Sequence, residues 1–276
     1  MNLLDPLGYG RPGFERHARR FDRADDARDL RGLTMAITGA NSGLGLAATR
    51  MLAARGATVF MLCRDAGRGE AARATVTGDA RVVLLDVSRA ASVDAVDLPA
   101  VDVLVHNAGA LDTARAEVDG LERTVATHVI GPYRLSQRAR AATTIWVASG
   151  GGLSQRLDVA RTWNPPEPFD GVTAYARCKR AQITLARRLG HHAMHPGWAD
   201  TPGVASSIPG FHRVTRSILR SPEQGADTVV WLAATRPADP GFWFDRARAA
   251  EFPVPFTRPK DGEEERLLAA LPPSRP

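Results

Sequence analysis

Apolar and polar positions along the chain fall into two periodicities. LTMAIT (33–38), ATVFMLC (57–63), ARVVLLD (80–86), VDVLVH (101–106) and TTIWVAS (143–149) are short, nearly continuous apolar runs rich in β-branched residues. Runs of that length and composition predict strands buried on both faces. Between the first two lies LGLAATRMLAARG (44–56), where Leu44, Ala47, Ala48, Met51 and Leu52 share one helical face and Gly56 suits a helix end. Strand–helix alternation of this kind predicts an α/β domain. Its parallel sheet is doubly wound through right-handed crossovers, with helices on both faces.

The pattern weakens at both ends. Residues 1–32 are rich in Arg and Asp with scattered aromatics and predict an extension, or a weak helix, wrapping the domain at 33–246. Residues 247–276 read as a C-terminal tail, Pro- and charge-rich from 253 onward, with little to pack. WNPPEPFDG (163–171) predicts a surface loop. A sixth strand is reduced to HHAM (191–194). Since 21 residues separate His128 from Ser149, and 15 separate Lys179 from Met194, two crossovers are expected to be trimmed.

Composition narrows the function classes. The 276 residues are 44% hydrophobic, enough to bury a full core. A net charge of +6 raises the question of nucleic acid, but the cations are mixed with 30 acids and no nucleic-acid-binding motif accompanies them. No apolar run approaches 18 residues, so no stable membrane insertion is expected. The first twenty residues break with Asp, Pro and Gly where a signal peptide needs an apolar stretch. The two cysteines, Cys63 and Cys178, are too few for a disulfide framework and lack metal-ligand spacing. The expectation is a reducing, cytoplasmic setting and no metal.

Candidate chemistry begins at TGANSGLG (38–45), directly after the first predicted strand. Gly39, Gly43 and Gly45 allow a tight turn and close approach of backbone to a pyrophosphate, which then rests on the helix N-terminus. Asn41, Ser42 and Leu44 belong to the same loop. Because a strand precedes it and an amphipathic helix follows, the loop points to a single-domain Rossmann fold binding a dinucleotide. At the end of the second strand, Arg64 offers a planar fork to a 2′-phosphate and favours NADP(H). Asp65 keeps NAD(H) as the competing reading. Asp86 and Val87, ending the third strand, would face the adenine; Asp86 also reads as a solvated strand-end carboxylate.

Of 36 Lys+Arg, only Lys179 and Lys260 are lysines, and Lys179 falls four residues after Tyr175, one of three tyrosines. With TGANSGLG, HNAG (106–109), VASGG (147–151), YARCK (175–179) and HPGWADT (195–201) in that order, the chain resembles the short-chain dehydrogenase/reductase family over roughly residues 33–246. SGGGLSQRLDV, FDGVTAYARCKR, MHPGWADTPGV, QGADTVVWLA and FWFDR are similar to one subgroup of it.

The resemblance implies an oxidoreductase acting on a carbonyl/alcohol pair of a small apolar substrate. By it, Tyr175 is the acid/base, Lys179 lowers the phenol pKa and binds the nicotinamide ribose, and Ser149 polarises the substrate oxygen. Asn107, Ala108 and Gly109 resemble the turn beside the adenosine half of the cofactor. Pro196, Gly197 and Thr201 resemble the turn beside the nicotinamide. His128 stands where the family has a relay asparagine; it reads either as a relay or as a helix histidine without that role. Trp163, Trp198, Phe211 and the segment 200–220 are candidates for a pocket wall and lid. Homodimers or homotetramers are the family expectation. A catalytically impaired NADP(H)-binding or sensing protein is the alternative, and sugar-nucleotide epimerase or dehydratase chemistry a third reading.

Overall fold

The computed structural model describes residues 6–201, 203 and 208–273, without the side chains of residues 6, 7 and 211. Each apolar run forms a strand within a residue or two of its predicted bounds. These are β1 (Thr34–Thr38), β2 (Thr58–Cys63), β3 (Ala80–Leu84), β4 (Val103–His106) and, after a small hairpin of β5 (Glu117–Val118) and β6 (Leu121–Glu122), β7 (Thr143–Val147). They continue into β8 (His192–Met194), β9 (Phe242–Phe244) and β10 (Ala247–Arg248). The main sheet runs β3-β2-β1-β4-β7-β8-β9-β10, parallel except where β10 returns against β9.

Near-continuous apolar strands bury both faces. Met35, Ile37, Val59, Met61 and Val105 pack beneath the helices Gly43–Ala53 and Pro222–Thr235. On the opposite face Trp146, Ala193 and Phe242 pack against the helix Gly171–Arg188. The fold is a single doubly wound α/β domain, as the alternation predicts. The chain winds from β1 out to β3 and returns on the other side of β1 as β4, opening a crevice at the strands' carboxyl ends.

Two expectations are corrected. The crossovers are not trimmed: Gly171–Arg188 is an 18-residue helix that begins before Tyr175, and a helical stretch from Arg123 to Arg138 precedes β7. Lys179 lies at the middle of the first of these, so the 15 residues that follow it hold only the helix's second half. β8 is short but buried, because His192 satisfies both ring nitrogens, on the Pro237 carbonyl at 3.1 Å and the Trp243 indole N–H at 3.2 Å.

The C-terminal stretch does pack. Glu263–Ala269 is a helix whose Leu267 is fully buried in the cluster around Gly171–Arg188. Arg187 and Arg188 pair with Glu264 across the seam. At the other end, the helices Pro6–Tyr9 and Arg11–Ala18 reach Phe244 and Asp245 through buried Tyr9 and through His17, and Arg23–Asp26 packs against the helix Pro222–Thr235.

Candidate active site

The glycine loop sits in the crevice between β1 and β4. Gly39 and Gly43 hold φ of +65° and +52°, which side chains with a Cβ rarely adopt. A Cβ on Gly45 would stand 2.4 Å from the Gly39 carbonyl oxygen and 2.5 Å from Asn107 Nδ2. Ser42 precedes the helix Gly43–Ala53 but does not cap it with its side chain, so no side chain closes the first-turn N–H groups. Loop, open helix end and close backbone approach together fit a pyrophosphate.

Asn107 ties this loop to β4. Its amide donates to the carbonyls of Thr38 (2.9 Å) and Gly39 (3.3 Å), while the N–H groups of Asn107 and Ala108 both donate to Thr38 Oγ1 at 2.9 Å. At the end of β2, Asp65 caps the helix Ala66–Arg73 by accepting from Arg68 N–H at 2.8 Å. Arg64 beside it is exposed and forms no hydrogen bond or ion pair among the described residues. Asp86 accepts from the Ser88 N–H (3.0 Å) and hydroxyl (2.6 Å), turning the chain after β3, and Val87 next to it is buried.

Three side chains converge where β7 ends. Ser149 caps the short helix Gly150–Leu153 through Gly151 N–H at 3.3 Å, and its hydroxyl stands near enough to the Tyr175 phenol to favour the phenolate. Tyr175 and Lys179 lie one turn apart on Gly171–Arg188, hence on one face. Lys179 is buried, and its Nζ donates to the Val147 carbonyl at 2.8 Å, 5.3 Å from the centroid of the Tyr175 ring.

The electrostatics correct the expectation of an acidified phenol. Burial pushes Tyr175 up to about 12, only partly offset by the neighbouring Ser149 hydroxyl. Burial also pushes Lys179 down to about 7. With no carboxylate beside it, a desolvated ammonium loses more than the carbonyl of Val147 returns.

His128 lies in a widened π turn, Ala126–Ile130, with its ring edge-on to Tyr175 at 5.1 Å and 89°. Its Nε2 contacts the Ala110 carbonyl at 2.9 Å; its Nδ1 is buried without a hydrogen-bond partner among the described residues. Burial, reinforced by Lys179, pushes the imidazole down to about 3, so it is neutral. The His128 backbone carbonyl accepts from Gln182 Nε2 at 2.7 Å.

After β8 the chain turns through Pro196, Gly197 and Trp198 to Thr201. Gly197 has φ +76°, and Trp198 stacks on Tyr9 at 5.8 Å and 22°. Trp163 packs partly buried against the core around Gly171–Arg188. Residues 202 and 204–207 of the candidate lid, and the side chain of Phe211, lie outside the described residues.

The sequence reading missed four participants: the Val147 carbonyl, Gln182, Tyr9, and Arg220, whose Nη1 donates to the Pro196 carbonyl at 3.3 Å. A backbone carbonyl leaves no residue signature. Gln182 stands three positions after Lys179 on the motif helix, and that spacing was the one available signal. Nothing local distinguishes Arg220 among so many arginines.

The profile of the short chain dehydrogenase family matches residues 33–197. The chain belongs to that family. Dehydrogenase/reductase SDR family member 12 of Bos taurus is 36% identical over 95% of this chain and 92% of its own length. Its Homo sapiens counterpart is 34% identical over the same shares. The crystal structure of an uncharacterized protein from Mycobacterium paratuberculosis superposes with a TM-score of 0.66 at 28% identity, covering 79% of this chain and 82% of that one. Membership of the short chain dehydrogenases supports oxidoreductase activity of the carbonyl–alcohol kind on a small molecule. No helix among the described residues is long and apolar enough to cross a membrane.

Proposed function

We propose that this short chain dehydrogenase is an NADP(H)-dependent oxidoreductase interconverting a carbonyl and an alcohol on a small apolar substrate. One observation carries the reading: Ser149 and Tyr175 come together, with Lys179 one turn beyond, at the carboxyl end of β7, on the sheet edge that also carries the glycine loop. Gly39, Asn41, Ser42, Gly43, Leu44 and Gly45 would hold the pyrophosphate, and Asn107, Ala108 and Gly109 the adenosine side. Asp86 and Val87 would border the adenine, Pro196, Gly197 and Thr201 the nicotinamide, and Lys179 the ribose.

Arg64 favours NADP(H) over NAD(H). Its guanidinium is unpaired among the described residues, whereas Asp65, the residue that could have served a ribose hydroxyl, is engaged in capping a helix. When bound, the cofactor supplies or accepts the hydride. The protein's part is to hold the substrate oxygen. Ser149 donates to it, and Tyr175 gives it the proton that balances the hydride on carbon. A phenol kept protonated by burial is suited to that donation, which favours carbonyl reduction. Being neutral and bound to Ala110, His128 is assigned a positional role against the phenol ring.

Thermal-shift titration with NADP(H) and NAD(H), followed by a carbonyl panel, tests the reading. It expects a larger shift with NADP(H), and turnover of apolar aldehydes or ketones. A second reading, a protein that binds the cofactor without turning over, is favoured by histidine at position 128 and by the Lys179–Val147 bond. Strong NADPH binding with no turnover across the panel would select it.

A further inference from the structure

Arg220 is almost fully buried, 1% exposed, and all five of its N–H donors are occupied. Two form a fork onto Asp245, at 2.6 and 2.9 Å. Two reach the carbonyls of Gly8 (3.1 Å) and Gly10 (3.3 Å) in the N-terminal segment. The fifth reaches the Pro196 carbonyl at 3.3 Å, in the turn after β8.

Backbone bonds repeat the connection. Arg220 N–H donates to the Trp198 carbonyl at 2.8 Å, Asp200 N–H donates to the Arg220 carbonyl at 2.9 Å, and Trp198 N–H donates to the Tyr9 carbonyl at 2.8 Å. Gly197 must be glycine, because a Cβ would stand 2.3 Å from Arg220 Nε. Asp245 is fixed in turn by His17 Nδ1 at 2.6 Å.

We infer that Arg220 is a positioning residue for the Pro196–Asp200 turn, and that the N-terminal segment around Tyr9 is a strap holding that turn from outside. The inference rests on the proposed function in one respect: this turn is where the nicotinamide end of the cofactor is placed. An ammonium cannot replace the guanidinium, since three donors on one atom cannot reach a carboxylate and three carbonyls in different directions.

The test compares wild type with Arg220→Lys, and with the milder Asp245→Asn. Two probes are titrated: NADPH, and ADP-ribose 2′-phosphate, which lacks the nicotinamide ring. Positioning of the turn predicts that Arg220→Lys weakens NADPH by about tenfold or more while ADP-ribose 2′-phosphate stays within about twofold. Hydrogen exchange over residues 196–200 should speed up in both variants, with β1–β4 unchanged.

Equal weakening of the two probes, or no change in either, overturns the positioning role. Unchanged exchange at 196–200 overturns the strap. If wild type binds neither probe, the NADP(H) reading fails by itself, and the exchange measurement alone then decides whether Arg220 and the strap hold the turn.

Discussion

Lys179 stands one helical turn beyond Tyr175, yet its ammonium donates to the Val147 carbonyl, while the phenol faces the Ser149 hydroxyl. The two groups share a face without sharing a proton. Lys179 is buried and Tyr175 half-buried, and desolvation works against the charged form of each: the phenol rises to about 12 and the ammonium falls to about 7. Tyr175 is thereby an acid held in its protonated form across the neutral range.

Replacing that acid should remove turnover and little else. Tyr175→Phe is expected to lower carbonyl-dependent NADPH oxidation by roughly 10²–10⁴, the usual worth of a positioned general acid. The NADPH dissociation constant should stay within about twofold, because the ring remains to pack against His128. Steady-state kinetics and fluorescence titration check both. Undiminished turnover would remove Tyr175 from the chemistry.

Arg64 gives an independent handle on the cofactor. An exposed guanidinium on a 2′-phosphate is a charge-assisted pair worth about 1.5–3 kcal/mol. Arg64→Ala should therefore weaken NADPH by roughly 10- to 150-fold while leaving NADH within a factor of about two. An equal loss for the two dinucleotides would show that Arg64 does not read the phosphate.

Local signals located what is local. The strands β1–β4 and β7, the glycine helix and the Tyr175–Lys179 spacing were legible because period and special residues determine them over a few positions. The sign of the phenol shift was not. It depends on how much water Tyr175 and Lys179 keep, and that is set by strands and turns contributed from distant parts of the chain. The packed ends were hidden for a related reason. Arg187 and Arg188 meet Glu264 across a separation of 76–77 residues, and Tyr9 meets Trp198 across the whole domain. Read alone, either end is a polar segment with too few apolar residues to form a core.

The C-terminal helix can be tested by emptying its buried apolar anchor. Leu267 is fully buried between Gly171–Arg188 and its own helix. Leu267→Ala removes a buried side chain and leaves a cavity, a change that costs about 2–5 kcal/mol. The urea midpoint should fall accordingly, and Glu263–Ala269 should lose exchange protection ahead of the sheet. A midpoint indistinguishable from wild type would mean that the helix contributes nothing to the core.

Acid should unfold this protein through its histidines. His106, His128 and His195 are each buried, and burial pushes all three down to about 3. Neighbouring His191, Lys179 and Arg220, respectively, push the same way. In the unfolded chain each titrates near 6.5. Between about pH 6.5 and 3 the unfolded state therefore binds more protons than the folded one, and stability rises with pH across that window. Stability from these groups is fully present above 6.5 and is lost as pH falls toward 3. Each histidine costs about 1.4 kcal/mol per pH unit below 6.5, so three together cost about 4 kcal/mol near pH 5.5, a large share of a typical domain's stability. Asp227 and Glu251, pushed up by burial, oppose the trend but only close to the carboxylate range. Urea midpoints measured from pH 7.5 to 5 should drop steeply below 6.5. His195→Asn should flatten that slope by about one proton, since its ring no longer titrates on unfolding. A midpoint that holds constant from pH 7 to 5 would mean the three imidazoles are already protonated or solvated in the folded state.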